Sequence, residues 1–259
     1  MRTLKDAIYG LAVGDALGVP FEFKRRGTFR CADMEGYGTH GQPVGTWSDD
    51  TSMTLATCDS IKRNKGINYT DIMKRFRSWY EDGKYAISGN VFDIGGTTLS
   101  AILRFDGKNP ICGINDFNQN GNGALMRILP LAFVPDVTDE QIENVARITH
   151  GHSLSSELCV KYVRIAQKLI RGEDVEFIYN EPIKSSGYVL DTFNAVMYCL
   201  ATTDNYKDCV LKAVNLGEDT DTISAIAGGL AGIKYGFESI PQKWVKKLRG
   251  KDIIESCLF

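Results

Sequence analysis

Apolar and polar residues alternate along this chain at helical spacing almost throughout. In "TLKDAIYGLAVGDAL", Leu4, Ile8, Leu11 and Ala12 share one face. In "MTLATCDSIKRN", Met53, Ala56 and Ser60 form a stripe that Leu55, Cys58 and Ile61 widen. "TDIMKRFRSWYEDG" predicts a helix with Thr70 as its N-cap and Gly83 as its stop. Helical patterns continue in "TTLSAILRF", "GALMRILPLAF", "TDEQIENVARITH" and "SSELCVKYVRIAQKLIRG". They resume in "YVLDTFNAVMYCLAT", "NYKDCVLKAVNLG" and "TDTISAIAGGLAGIKYG". The best strand signal, "GYVLDTF", merges into one of these helices.

Two stretches break the pattern, 24–47 and 106–122, both rich in turn formers. Loops of that length in a compact domain are usually functional or disordered. No fixed-period repeat, low-complexity tract or dividing linker interrupts the rest, so the pattern predicts an all-α single domain over 1–259. Within "AIAGGLAGIKYG", each of Gly228, Gly229 and Gly232 weakens a helix interior by roughly 1 kcal/mol relative to alanine. The expected return is close approach of a second helix.

A formal net charge of −2 gives no broad attraction to nucleic acid or an anionic membrane. The seven cysteines are odd in number, lack a CxxC pair and fall largely inside apolar helical stretches. That usage predicts reduced, buried thiols in a cytoplasmic protein, not a disulfide framework or a zinc site. Neither a secretory leader nor a membrane-length apolar run is found.

Against this ordinary background the acidic clusters stand out. "GTWSDDTSMTLA" gives Ser48, Asp49, Asp50 and Thr51 at the entrance to an apolar helix. "GEDTDTIS" gives Asp219, Asp221 and Thr222 just before the glycine-rich helix. "GDALGVPFEF" adds Glu22, seven residues after Asp15. Helix capping explains one Asp, Ser or Thr at such a place, at roughly 0.5–2 kcal/mol. It does not explain two carboxylates with hydroxyls on both sides, which raise one another's pKa unless a cation intervenes. If the two helix entrances meet in space, the oxygen-only donor set suits Mg²⁺, Mn²⁺ or Ca²⁺, and four aspartates suffice for two ions.

Two other places carry candidate chemistry. In "NQNGNGALMRILPLAF", Gly121, Asn122 and Gly123 would let a ligand approach the backbone ahead of a helix N-terminus suited to an anion; a flexible turn is the plain alternative. His150 and His152 lie between two helices, where an interaction with a helix C-terminus also accounts for them. No Ser-His-Asp or Cys-His arrangement can be assembled.

Taken in order, "GLAVGDALGVPFEF", "GTWSDDTSMTLA", "NGNGALMRILPLAF", "ITHGHS" and "GEDTDTISAIAGGLAG" resemble the ADP-ribosylglycohydrolase family, which includes dinitrogenase reductase-activating glycohydrolase, and they span residues 10 to 232. The resemblance implies a compact orthogonal helical bundle with a central cleft holding two Mg²⁺ ions, with Mn²⁺ as a substitute. It implies metal ligation by Ser48, Asp49, Asp50, Asp219, Asp221 and Thr222, with Glu22 acting beside the metals and Asp50 at the reacting centre. The loop from Gly121 to Arg127, including Asn122, Gly123, Ala124 and Met126, would hold the distal ribose and diphosphate, and His150 would contact substrate. Ser48 stands where many relatives have threonine, which keeps the hydroxyl.

The implied reaction is metal-dependent hydrolysis at the ribose C1″ carbon of an ADP-ribosylated protein or small molecule. A non-catalytic ADP-ribose-binding or immunity protein, a hydrolase of a small-molecule or nucleic-acid conjugate, and a helical protein whose acids only cap are the alternatives. The acceptor linkage and the oligomeric state are not legible in the sequence.

Overall fold

A computed structural model describes residues 2–259. Eleven α-helices and no sheet are found among the described residues. In chain order they are α1 (Leu4–Gly18), α2 (Asp49–Asn64), α3 (Tyr69–Asp82), α4 (Gly96–Arg104), α5 (Asp139–Arg147) and α6 (Ser153–Ile170). The remainder are α7 (Val189–Ala201), α8 (Tyr206–Val214), α9 (Thr220–Tyr235), α10 (Gln242–Lys247) and α11 (Lys251–Cys257).

The centre of the bundle is the pair α1 and α9, both buried along nearly their whole length. Their contact depends on small residues at four-residue spacing, which lets the backbones touch. A Cβ on Gly10 would overlap Gly228 O, and one on Gly14 would overlap Ser224 O. Hydrogen bonds use the same closeness: Ser224 Oγ donates to Gly14 O at 2.6 Å, and Thr220 Oγ1 donates to Gly18 O at 2.8 Å. Gly228 and Gly232 of α9 serve the close approach expected of them, against Gly10 O and Asp6 O, whereas Gly229 faces the side chains of Leu129 and Tyr162. The functional consequence is register, because the acidic entrance of α9 is held against the C-terminal end of α1.

Four local expectations change. Asn68, not Thr70, caps α3, its side chain accepting from the Asp71 amide at 3.0 Å, while Gly83 does end the helix at φ 67°. "GYVLDTF" opens α7 and forms no strand. "GALMRILPLAF" is not an α-helix but two 3₁₀ turns, Leu125–Arg127 and Leu129–Phe133. Pro130 supplies no amide to an α-helical ladder, and burial of Leu125, Leu129 and Leu131 holds the tighter turns in place. Helices α10 and α11, six and seven residues long, are too short for periodicity to announce.

Candidate metal centre

The two acidic clusters meet. One carboxylate oxygen each from Asp15, Asp50 and Asp221 lie within 4.8 Å of one another, all on fully buried residues. Three features of the chain bring them there: α1 and α9 are locked in register, α1 carries Asp15, and Asp15 reaches across to the start of α2. Asp15 accepts from the Ser48 amide at 2.9 Å and from the Thr51 amide and hydroxyl at 3.0 and 2.6 Å. A second tie joins the segment after Glu22 to the one before Asp219. Phe23 N–H donates to Glu218 O at 2.7 Å, and Glu218 N–H donates to Lys24 O at 2.8 Å. Both Phe23 and Glu218 adopt positive φ to make this pairing, an uncommon conformation for non-glycine residues.

Ser48 caps α2, accepting from the Asp50 amide at 3.3 Å, and Asp15 satisfies the neighbouring donors. Asp219 makes no side-chain cap to α9; its Oδ2 accepts instead from Asn122 Nδ2 at 2.7 Å. The carboxylates are therefore in excess of what the helices need. Asp50 Oδ1, Asp219 Oδ1 and Asp221 Oδ2 are buried with no hydrogen-bond partner among the described residues. An unpaired buried carboxylate oxygen is costly unless a cation or proton neutralises it. Burial, followed by the mutual repulsion of Asp15, Asp49, Asp50, Asp93 and Glu22, pushes the carboxyls of Asp49, Asp50 and Asp221 well above the usual range. Hard oxygen donors, orphaned lone pairs and excess negative charge together fit a divalent metal. Asp50 and Asp221, grouped with Asp15, and the nearby Asp219 supply the partnerless oxygens, while the hydroxyls of Ser48 and Thr222 both donate to Asp50 Oδ2.

Above these residues lies a cleft of about 370 Å³, lined among others by Glu22, Asp49, Asp219 and Thr222. That volume is within the range of small-ligand sites. A larger hollow of about 760 Å³ at the end of α6 has no comparable chemistry: Arg171 pairs with Glu173, and Arg2 donates to Lys234 O.

A second group shares Asp221 and adds two residues, His40 and Asp93, that the sequence does not mark. Glu22, His40, Asp93 and Asp221 each place one ligand-type atom within 4.8 Å of the others. His40 Nε2 bonds Glu22 Oε2 directly and lies 3.8 Å from Asp93 Oδ1. Burial, with Asp219 beside it, pushes the Glu22 carboxyl up to about 8; burial and Glu22 push Asp93 up to about 7. His40 arrives on the long 24–47 segment. Asp93 sits in coil between α3 and α4 at φ 64°, with no cap, pair or spacing to mark it in the sequence.

The loop from Gly121 to Arg127 divides in two. Gly121, Asn122, Gly123 and Met126 line the cleft, as does His150. The Asn122 side chain is committed to Asp219 and Thr192, and its amide donates to Gly187 O, so it steadies a carboxylate and offers no anion cradle. Ala124 and Arg127 do not line the cleft. Arg127 is fully buried, with its guanidinium on Val145 O and Thr149 Oγ1 and stacked over Phe76. With no α-helix following the loop, the expected helix N-terminal anion site is also missing. His152 caps α6 by accepting from the Leu154 amide.

The sequence profile of ADP-ribosylglycohydrolase matches residues 2–185 and 176–258. The chain belongs to the ADP-ribosylglycohydrolase family. It is similar, at 32% identity over 94% of this chain and 74% of the relative, to an ADP-ribosylarginine hydrolase of Serratia proteamaculans. An ADP-ribosyl-dinitrogen reductase glycohydrolase of Rhodospirillum rubrum is 33% identical over 93% of this chain and 88% of its own length. Among solved structures, an ADP-ribosylglycohydrolase-related protein complex superposes with a TM-score of 0.82 at 30% identity, covering 97% of this chain and 93% of that one. The family's helical architecture thus extends over essentially the whole chain, and the acidic cleft lies where its α1 and α9 meet.

Proposed function

We propose that this ADP-ribosylglycohydrolase is a divalent-metal-dependent enzyme that removes ADP-ribose from an ADP-ribosylated protein by hydrolysis at ribose C1″. The observation that carries the metal dependence is the set of partnerless oxygens on Asp50, Asp219 and Asp221, gathered beneath the cleft. Ser48, Asp49, Asp50, Asp219, Asp221 and Thr222 would hold two Mg²⁺ ions, with Mn²⁺ as a substitute. A bound divalent ion supplies Lewis acidity for ribose hydroxyls and water at the reacting carbon.

The protein's own groups do the rest. Asp49, Asp50, Asp219 and Asp221 are ligands, which leaves Glu22 and Asp93 as the acids free to hold or move a proton at the cleft lip. His40 keeps the Glu22 carboxyl turned toward the site. Positive charge developing on the ribose, as in other glycoside cleavage, faces a surround of carboxylates. Met126, Gly121 and Gly123 line the same cleft and leave space for the sugar.

The Serratia proteamaculans relative, named for arginine-linked ADP-ribose, makes that linkage the leading substrate here. A cationic guanidinium leaving group also suits the acidic lip formed by Glu22 and Asp93. One domain over 1–259 and a cytoplasmic location complete the reading; the seven cysteines are all unpaired, and no helix among the described residues is long and apolar enough to cross a membrane. Single-turnover hydrolysis by Asp50→Ala and Glu22→Ala tests the roles. Near-normal rates for both variants would overturn them.

A further inference from the structure

Arg127 is a buried cation with no carboxylate partner among the described residues, a costly arrangement that needs a reason. Part of that reason is local. Its guanidinium donates to Val145 O at 3.2 Å, in the last turn of α5, where a cation suits the helix C-terminus. The remaining contact points toward the cleft. Arg127 Nη2 donates to Thr149 Oγ1 at 2.8 Å, and Thr149 Oγ1 lies 2.8 Å from His150 Nδ1.

The direction of this chain of hydrogen bonds follows from what each group can do. A guanidinium only donates, so the Thr149 oxygen accepts from it. Thr149 is fully buried, and His150 is the one other partner its hydroxyl has among the described residues. The hydroxyl proton therefore goes to Nδ1, since any other direction leaves it unpaired in the interior. With Nδ1 accepting, the proton of the neutral ring sits on Nε2. We propose that Arg127 and Thr149 are positioning residues that fix His150 as its Nε2–H tautomer, presenting a neutral N–H donor to the cleft.

The cleft side agrees. His150 is 2% exposed, and its Nε2 has no protein partner among the described residues while its ring lines the cavity. Gly123 leaves room for that edge, and Gly121 lies at ordinary contact distance from it. A Cβ on Gly123 would come within 2.9 Å of His150 Cε1, and one on Gly121 within 3.6 Å of Nε2. Burial and the nearby Arg127 charge hold the imidazole pKa down at about 3, so the ring stays neutral at physiological pH. The N–H then suits an oxygen acceptor, a ribose hydroxyl or a diphosphate oxygen. This last identification rests on the function proposed above; the tautomer does not.

Long-range ¹H–¹⁵N spectra of the full chain labelled at its three histidines give the tautomer directly, with His150 assigned from a His150→Gln variant. The ligand-free wild type should show His150 as neutral Nε2–H. Thr149→Val, which keeps the shape and removes the hydroxyl, should shift the ring toward Nδ1–H and weaken ADP-ribose binding by about fivefold to tenfold. Thr149→Ser should restore both readouts, which a purely structural role would not require. Observation of Nδ1–H in the wild type, or of undiminished Nε2–H in Thr149→Val, would overturn the proposal. Failure of the wild type to bind ADP-ribose would instead overturn the functional reading, leaving the relay to be judged on the ligand-free spectra.

Discussion

Asp15 and Thr51 are 36 residues apart, yet one carboxylate oxygen of Asp15 accepts from both the amide and the hydroxyl of Thr51, at 3.0 and 2.6 Å. The first helix thus satisfies the entrance of the second, and Asp49 and Asp50 are released from capping. Replacing Asp15 with alanine strands several buried donors at once and should destabilise the fold by about 2 kcal/mol. Urea denaturation measures it. An unchanged midpoint would mean that Ser48 alone suffices as the cap.

In the metal-free protein the acidic centre opposes folding, because its carboxylates repel one another in a buried place. Asp50→Asn should therefore raise the melting temperature of metal-free protein while abolishing the rise produced by Mg²⁺. In the wild type, Mg²⁺ at 100 times its Kd should add about 2.7 kcal/mol for each ion bound. Thermal melts with and without chelator check both. A wild type indifferent to Mg²⁺ would return the aspartates to a purely structural role.

The α1–α9 contact makes a sharp packing prediction. Gly14→Ala would drive a methyl group into Ser224 O, so the helices must separate, at a cost of about 1–3 kcal/mol. Because Asp15 and Asp221 ride on those helices, Mg²⁺ affinity should fall in the same variant. Gly66→Ala, where an added Cβ meets nothing within 4 Å, is the control and should stay within about 0.5 kcal/mol. Equal effects at the two positions would contradict the account.

Away from the cleft, Arg75 joins α2 to α3 by pairing with Asp59 and with Asp71, the latter at 2.7 Å. Burial opposes ionisation of both aspartates. For Asp59, hydrogen bonds from Tyr85 and Arg63 and the charge of Arg75 outweigh it; for Asp71, hydrogen bonds from Arg75 and Ser60 do so. Both carboxyls are thus held below the ordinary value of 3.8. Groups with depressed folded pKa values contribute stability that is full above their unfolded pKa and lost as pH falls through the folded one. This network should therefore loosen only below about pH 4. Arg75→Met should cost about 3–5 kcal/mol at neutral pH and much less in acid, as urea melts across pH would record.

Much of this was legible in the sequence, and the reasons are particular. Helical periodicity marked nine of the helices because each runs at least two turns. The pairing of Asp50 with Asp221 could be expected because adjacent buried acids need a cation. Other features depend on tertiary contacts that leave no local trace. Asp93 is a single aspartate in coil, and His40 reaches Glu22 only because its loop folds back over the end of α1. Arg127 stands in a glycine-rich loop beside cleft residues, yet it turns inward because the 3₁₀ turns at 125–133 aim it at α5. Periodicity reads "GALMRILPLAF" as a helix because burial on every side imitates an apolar face.

Hydrolysis of an ADP-ribosyl linkage in this cleft should require a divalent ion at the site between Asp50 and Asp221. The direct measurement is single-turnover release of ADP-ribose from an arginine-ADP-ribosylated protein by chelator-stripped enzyme, before and after Mg²⁺ is added back. The account predicts no release above background from the stripped enzyme, and recovery on Mg²⁺ addition in the wild type but not in Asp50→Ala. Full release by the stripped wild type, or by Asp50→Ala, would contradict it.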